Sequence, residues 1–182
     1  MEPVDAIPYP GERLPAPGRL RLVQRFVNTV DHEHGREALH SPARLKEVLA
    51  GLGLLDEGVR VTAADLVRAH ALREQLRALA LANNGSPTKV VLDAGLVATV
   101  GAGRATLEPV RRDVEGAFAD LVGVVYTAIA DGTWPRLKAC QRDVCGWLFY
   151  DRSRNRSARW CQMAVCGNRT KTRAYRARIA GR

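Results

Sequence analysis

The sequence predicts a mainly α-helical fold with one small β-hairpin, followed by a small C-terminal unit built around four cysteines. Apolar residues recur with helical spacing in four segments, and short β-prone runs interrupt that spacing between residues 90 and 107. The last quarter of the chain holds two cysteine pairs. These observations divide the chain into an irregular leader over residues 1–18, a helical domain over 19–133 and a cysteine-bearing domain over 134–182.

The leader is predicted to lack regular structure. It contains five of the nine prolines and two glycines, and proline removes the backbone donor that a helix needs. Its first residues are acidic and broken by proline, unlike a secretory signal, and the chain has no run of 18 apolar residues. We therefore expect a cytoplasmic protein without a membrane partner.

The first helix is predicted from residue 20 to residue 30, before a polar stretch over 31–35. Asn28 and Thr29 interrupt its apolar face. Because buried polar groups need hydrogen-bond partners, two explanations stay open. The two side chains either line a ligand pocket or bond to the backbone at the end of the helix.

The second and third helices have recognisable N-terminal caps. Ser41 followed by Pro42 is typical of a helix start, and glycines near residue 52 end that helix. Thr62, with Asp65 three residues later, begins the third and longest helix, which is predicted to end at residues 83–85.

The region after the third helix changes character twice. Three β-prone runs between residues 90 and 107 predict a small hairpin, and Gly101-Ala102-Gly103 is interpreted as its turn. That turn lacks the strand and helix context of a phosphate-binding loop. Helical spacing returns over residues 113–131, and Thr133-Trp134-Pro135 is expected to form a hinge into the cysteine-bearing domain.

The four cysteines follow the spacing Cys140-x4-Cys145-x15-Cys161-x4-Cys166. In a reducing compartment this count favours a metal over two disulfides. Four thiolates about 2.3 Å from a zinc ion complete its shell and leave no open position for catalysis. We therefore predict one structural zinc ion and no enzymatic activity.

The histidines do not indicate a second metal site. His32 and His34, separated by Glu33, do not share a helical face, so this stretch is predicted to be solvated.

The cysteine-bearing domain is too short to bury a stable core alone, so the metal should hold it together. Trp147, Leu148, Phe149 and Tyr150 form a β-prone run that is expected, with Trp160, to make an aromatic core around the metal.

A helix is predicted over residues 167–180, with the fourth ligand in its first turn. A strand followed by a ligand-bearing helix suits a treble-clef-like zinc finger. A chelator should then unfold residues 136–180 and leave the helical domain folded.

The net positive charge of the chain lies in the cysteine-bearing domain. Residues 134–182 contain 13 lysines and arginines against two acidic residues, whereas residues 1–133 contain 15 against 17. Basic side chains that neutralise phosphates release counterions and so gain affinity. We predict a nucleic-acid partner, with double-stranded DNA as the first choice; a merely solvated basic tail is the alternative. The predicted contacts are Arg152, Arg154, Arg156, Arg159, Arg169, Lys171, Arg173, Arg176 and Arg178.

The predicted C-terminal helix has two stripes. Arg169, Arg173 and Arg176 recur at helical spacing and should form one basic stripe. The neighbouring residues Thr172, Tyr175 and Ile179 are predicted to form a packing stripe.

One block of residues has a recognisable pattern. It comprises Asp151, Ser153, Asn155, Ser157, Trp160-Cys161-Gln162-Met163, Cys166-Gly167-Asn168-Arg169 and Lys171. This block closely resembles the CGNR zinc-finger family, in which the finger usually follows an ABATE domain. Phe26-Val27-Asn28-Thr29-Val30 is similar to an early stretch of that domain. Ala158 and Gln162 depart from the pattern, where arginine and serine are common, but all four ligands remain.

The resemblance implies a stress-induced transcriptional regulator that binds DNA. It also leaves room for a small-molecule effector of the helical domain and for a homodimer. The competing interpretation is a zinc-stabilised RNA-binding module without a transcriptional role, in which Trp147, Phe149, Tyr150 or Tyr175 stacks on unpaired bases. Burial of these aromatic side chains distinguishes the two.

Overall fold

A computed structural model of the chain describes residues 15–86 and 88–180, and within this part the first helix starts at Leu20. Most of the predicted leader, residues 1–14, lies outside the described residues. The described part has five α-helices and three two-stranded antiparallel sheets, which confirms the mainly α-helical prediction. None of the described helices is both long and apolar enough to cross a membrane.

The elements follow one another in a simple order. They are α1 (Leu20–Val27), β1 (Val30–Asp31), β2 (Arg36–Glu37), α2 (Pro42–Gly51), α3 (Ala63–Ala82), β3 (Leu96–Gly101), β4 (Arg104–Pro109), α4 (Val114–Ala130), β5 (Leu137–Ala139), β6 (Leu148–Tyr150) and α5 (Asn168–Ala180). A 3-10 turn, Trp134–Arg136, joins α4 to β5, and a π-helical turn, Met163–Gly167, leads into α5.

The predicted helix caps are confirmed. The Ser41 hydroxyl accepts a hydrogen bond from the Arg44 amide at 3.2 Å. Thr62 and Asp65 form a reciprocal capping box, in which the Thr62 amide donates to the Asp65 carboxylate at 2.7 Å. These bonds satisfy amide groups that have no partner within the first helical turn, which is why α2 and α3 begin where they do.

Helix α1 ends three residues earlier than predicted. Val30 belongs to β1 and pairs with Glu37 of β2. Thr29 donates its hydroxyl to the Phe26 carbonyl at 2.8 Å, whereas Asn28 reaches β6, where it accepts from the Leu148 amide at 2.8 Å and donates to the Leu148 carbonyl at 2.9 Å. Hydrogen bonding at the helix end and across to β6 therefore explains both side chains.

Helices α1 to α4 enclose the main core. Its fully buried side chains include Phe26, Leu45, Leu76 and Leu121. Two apolar residues with helical spacing lie outside this core: Val67 is 69% exposed and Ile129 is 57% exposed. Both lie on outward faces of their helices.

The predicted hairpin is formed by β3 and β4. Ala102 and Gly103 both have positive φ at its two-residue turn, as a tight hairpin turn requires. The earlier run Val90-Val91-Leu92 forms no strand. Leu96 and Leu107 of the hairpin pack over Gly123 of α4, where a larger residue would meet them.

The predicted hinge is a packed connection. Trp134 is buried, and Leu137, Ala139, Leu148 and Tyr150 belong to the same core as the helices. The hydrophobic core therefore continues from α1–α4 into β5 and β6.

Polar contacts strengthen this continuity. The Asn83 side chain donates to the carbonyls of Trp134 and Leu137 at 2.9 and 2.8 Å, and Asn84 donates to the Ala139 carbonyl at 2.7 Å. The C-terminal end of α3 thereby fixes β5 in front of the first cysteine.

Candidate metal centre and basic surface

The four cysteines converge in one buried cluster. Their sulfur atoms all lie within 4.8 Å of one another. The Cys161 sulfur is 3.7 Å from those of Cys145 and Cys166, and all four thiols are free. A tetrahedral site with metal–sulfur bonds of about 2.3 Å has edges of about 3.8 Å. The cluster therefore fits one zinc ion and not two disulfides.

The backbone around the cysteines explains their convergence. Cys140 follows β5, and its amide donates to the Trp147 carbonyl at 2.9 Å, which returns the chain beside itself. Gly146 makes that tight return with a φ of 58°, in the left-handed region that favours glycine. Cys166 lies in the π-helical turn before α5. The fourth ligand therefore precedes the helix, and does not lie in its first turn as predicted.

The protonation chemistry of the cluster favours a cation. Hydrogen bonds from Cys145 and Cys161 lower the pKa of Cys140. The same contacts with Cys140 raise the pKa values of Cys145 and Cys161. Four thiolates this close repel one another unless a positive ion lies between them. Zinc supplies that charge and so holds all four in the thiolate form.

Strand β6 gives one face to the metal cluster and the other to the main core. Trp147 and Phe149 pack against the cysteines, with Trp160 partly buried beside them. Leu148 and Tyr150 point the opposite way, into the core of the helices. The predicted aromatic core is therefore confirmed for three side chains and wrong for Leu148 and Tyr150.

Residues 166–169 each have a local role. A Cβ atom on Gly167 would lie 2.4 Å from the Met163 sulfur, so glycine permits the close approach there. Asn168 donates to the Ala164 carbonyl at 3.2 Å, which ties the start of α5 to the π-helical turn. Arg169 reaches out of the finger to Glu33.

A buried ion pair supports the basic loop over residues 151–159. Lys138 donates to the Asp151 carboxylate at 2.9 Å, and both side chains are almost fully buried. Asp151 also accepts from the amides of Ser153 and Ala158 at 2.9 and 3.0 Å. Burial opposes ionisation of Asp151, but these hydrogen bonds outweigh it and lower its pKa to about 2. The sequence had suggested no partner for Lys138.

The same lysine fixes the far side of the loop. Lys138 also donates to the carbonyls of Arg156 and Ala158. Arg156 has a φ of 49°, which is uncommon for a residue with a side chain. The loop is therefore tied at its base. Its four predicted contacts are exposed: Arg152, Arg154, Arg156 and Arg159. Arg152 also turns back to donate to the Pro15 carbonyl at 3.0 Å.

Helix α5 buries none of its residues. Tyr175 and Ile179 are 59% and 56% exposed, and Thr172 is exposed as well, so the predicted packing stripe is wrong. Apolar spacing had indicated a face, but no element packs against that face among the described residues.

The basic residues of α5 fall on two opposite sides. Arg169, Arg173 and Arg176 lie within about 60° of one another around the helix axis, as predicted for the basic stripe. Lys171 and Arg178 lie about half a turn away from them. The helix therefore presents positive charge in two directions.

Glu33 joins the helical domain to the finger. It lies between β1 and β2 and accepts from Arg142 at 2.6 Å and from Arg169 at 2.5 Å. The hydrogen bond from Arg142 is the main cause of its lowered pKa. The predicted solvated stretch is thus wrong for Glu33. Local spacing contains no signal for contacts between residues so far apart in the chain.

Arg77 of α3 holds the turn at Gly146, directly after the second cysteine. Its side chain is buried and donates to the Gly146 carbonyl at 2.5 Å and to the Val27 carbonyl at 2.9 Å. A Cβ atom on Gly146 would lie 3.3 Å from the Arg77 side chain. One guanidinium therefore links α1, α3 and the metal centre.

The fold and the site define a helical protein with a C-terminal zinc finger of four cysteine ligands. Family comparison agrees: residues 136–179 match the CGNR zinc finger, and residues 20–135 match the ABATE family, described as "Putative stress-induced transcription regulator". The chain belongs to the ABATE family and carries a CGNR zinc finger after its ABATE domain. No curated protein matches the sequence.

Proposed function

We propose that this protein is a zinc-dependent regulator of transcription that binds double-stranded DNA through its phosphate backbone. The observation that carries the proposal is the exposure of α5, which has five basic residues and no acidic one. A helix that buries none of its residues gains no stability from a core. Its composition instead suits a polyanionic partner, and the family description supports a role in transcription.

The two basic sides of α5 suit a groove in the duplex. An α-helix with its side chains is about 10–12 Å wide, close to the roughly 12 Å width of the major groove. A helix in that groove has a phosphate strand on each side, and α5 has basic residues on each side. In this proposal the zinc centre has a structural role, since four thiolates leave no open position for catalysis.

Burial of the aromatic residues favours duplex DNA over unpaired RNA. Trp147, Phe149 and Tyr150 are all buried, so they are not available to stack on bases. Tyr175 is the remaining aromatic residue of the four, and it is exposed. That side chain is the specific reason to retain an RNA-binding module as the second candidate.

Replacing Arg169, Arg173 and Arg176 together with glutamine is expected to weaken duplex binding and flatten its salt dependence. Each lost phosphate contact changes the slope of log K against log salt by roughly 0.9, so the triple variant should lose roughly 2.7. Fluorescence anisotropy of a labelled duplex over a salt series measures this. The variant should remain folded because these side chains are not buried.

A matched control removes the same charge elsewhere. Arg60, Arg104 and Arg112 are exposed on the helical domain, and their replacement by glutamine should leave the slope nearly unchanged. Replacing Lys171 and Arg178 should remove roughly 1.8 from the slope if the helix lies in a groove. An unchanged slope in the triple variant would exclude α5 as the contact. If Tyr175→Ala weakens binding to single-stranded RNA but not to the duplex, the second candidate, an RNA-binding module, is favoured.

A further inference from the structure

Two arginines of the finger converge on one carboxylate of the helical domain. The Nη1 atom of Arg142 is 2.6 Å from one oxygen of Glu33, and the Nη1 atom of Arg169 is 2.5 Å from the other. Arg142 lies between the first two cysteines, and Arg169 lies in the first turn of α5. The two guanidinium groups therefore hold a single small anion between them.

The position of Arg142 is fixed by its surroundings. Its side chain is largely buried, and its Nη1 atom also lies 3.7 Å from the sulfur of Cys166. Arg169 is more open, with 59% of its side chain exposed. One enclosed and one open guanidinium on the same anion form an arrangement that binds phosphate oxygens as readily as carboxylate oxygens.

Glu33 itself is presented on a well-tied turn. Asp31, at the start of that turn, accepts from His34 and from Arg36 at 2.7 Å each. The carboxylate of Glu33 is therefore held in front of the arginines by the helical domain. A phosphate that approaches them meets a negative charge already in place.

We propose that Arg142 and Arg169 form a binding site for one backbone phosphate of the nucleic acid, and that Glu33 occupies this site in the free protein. The inference rests on the proposed function and adds Arg142 to the contact surface. Glu33 is an internal competitor that the phosphate must displace. It lowers affinity and reduces the number of counterions released on binding.

Glu33→Gln tests the competition while keeping the shape of the side chain. The variant should bind a labelled duplex about tenfold more tightly at low salt, within the range usual for coupling between sites. Its salt dependence should be steeper by roughly 0.9, because the freed arginines neutralise one more phosphate. The control is Glu108→Gln, which removes the same charge from an exposed position on β4 and should leave both quantities unchanged.

Arg169→Gln in the Glu33→Gln background should abolish most of the increase in affinity. The Arg169 side chain is largely exposed, so its replacement should leave the protein folded. If Glu33→Gln and Glu108→Gln bind the labelled duplex with equal affinity, the inference is overturned while the proposed function stays intact. Weaker binding would also overturn it, because Glu33 would then orient the arginines. A wild-type protein that binds neither duplex DNA nor RNA would instead contradict the proposed function itself.

Discussion

Replacing Cys161 with serine is expected to unfold the finger and to lower the stability of the helical domain together with it. Structural zinc contributes roughly 10–16 kcal/mol of apparent folding free energy in finger peptides near neutral pH. The loss of one ligand should remove much of that free energy. The helical domain is affected because Leu137, Leu148 and Tyr150 belong to its core. The sequence alone predicts that the finger unfolds separately. The structure predicts that the finger and the helical domain lose stability together.

Two optical signals measure this effect in one denaturant titration. All three tryptophans lie between residues 134 and 160, so their fluorescence follows this segment, while circular dichroism follows mainly the helices. Both midpoints should fall in Cys161→Ser, and a chelator should reproduce the change. Val144→Ser, at an exposed position between the first two cysteines, is the control. An unchanged helical midpoint would show that the helical domain folds independently, and a protein folded around Trp147 without bound zinc would refute the metal centre.

Replacing Asp151 with alanine is expected to destabilise the protein by about 3–5 kcal/mol. The substitution leaves the ammonium group of Lys138 buried without its counter-charge, and an uncompensated buried charge is destabilising by that amount. It also removes the acceptor of two loop amides. The free energy of unfolding from chemical denaturation gives the magnitude.

A double substitution separates the charge effect from the loss of packing. Lys138→Met combined with Asp151→Ala removes both charges, so it should be less destabilising than Asp151→Ala alone. Equal or greater destabilisation in the double variant would mean that the ion pair is not the cause. Arg154→Ala, on the exposed part of the same loop, should leave stability nearly unchanged and serves as the control.

Local features of this fold could be read from the sequence because their signals lie within a few residues. Ser41 and Thr62 cap helices through bonds to residues three positions away, and the cysteine spacing contains the metal site. The structure confirmed these elements. The β3–β4 turn was recognisable for the same reason, since its backbone needs residues that accept positive φ.

Long-range partners could not be read in this way. Glu33 meets Arg142 and Arg169 across more than a hundred residues, and no periodicity marks such a contact. The packing predicted for Tyr175 and Ile179 is wrong for a different reason. Helical spacing shows which residues share a face, but it does not show whether another element covers that face.

The two-sided packing of β6 sets different rules for insertions and deletions in the two halves of the finger. Successive residues of this strand alternate between the metal cluster and the helical core. A deletion of one residue between Cys145 and Leu148 would shift the register and send each side chain to the wrong side. The stretch over residues 152–157 faces solvent and is fastened at its ends, so its length can change while both cores stay filled.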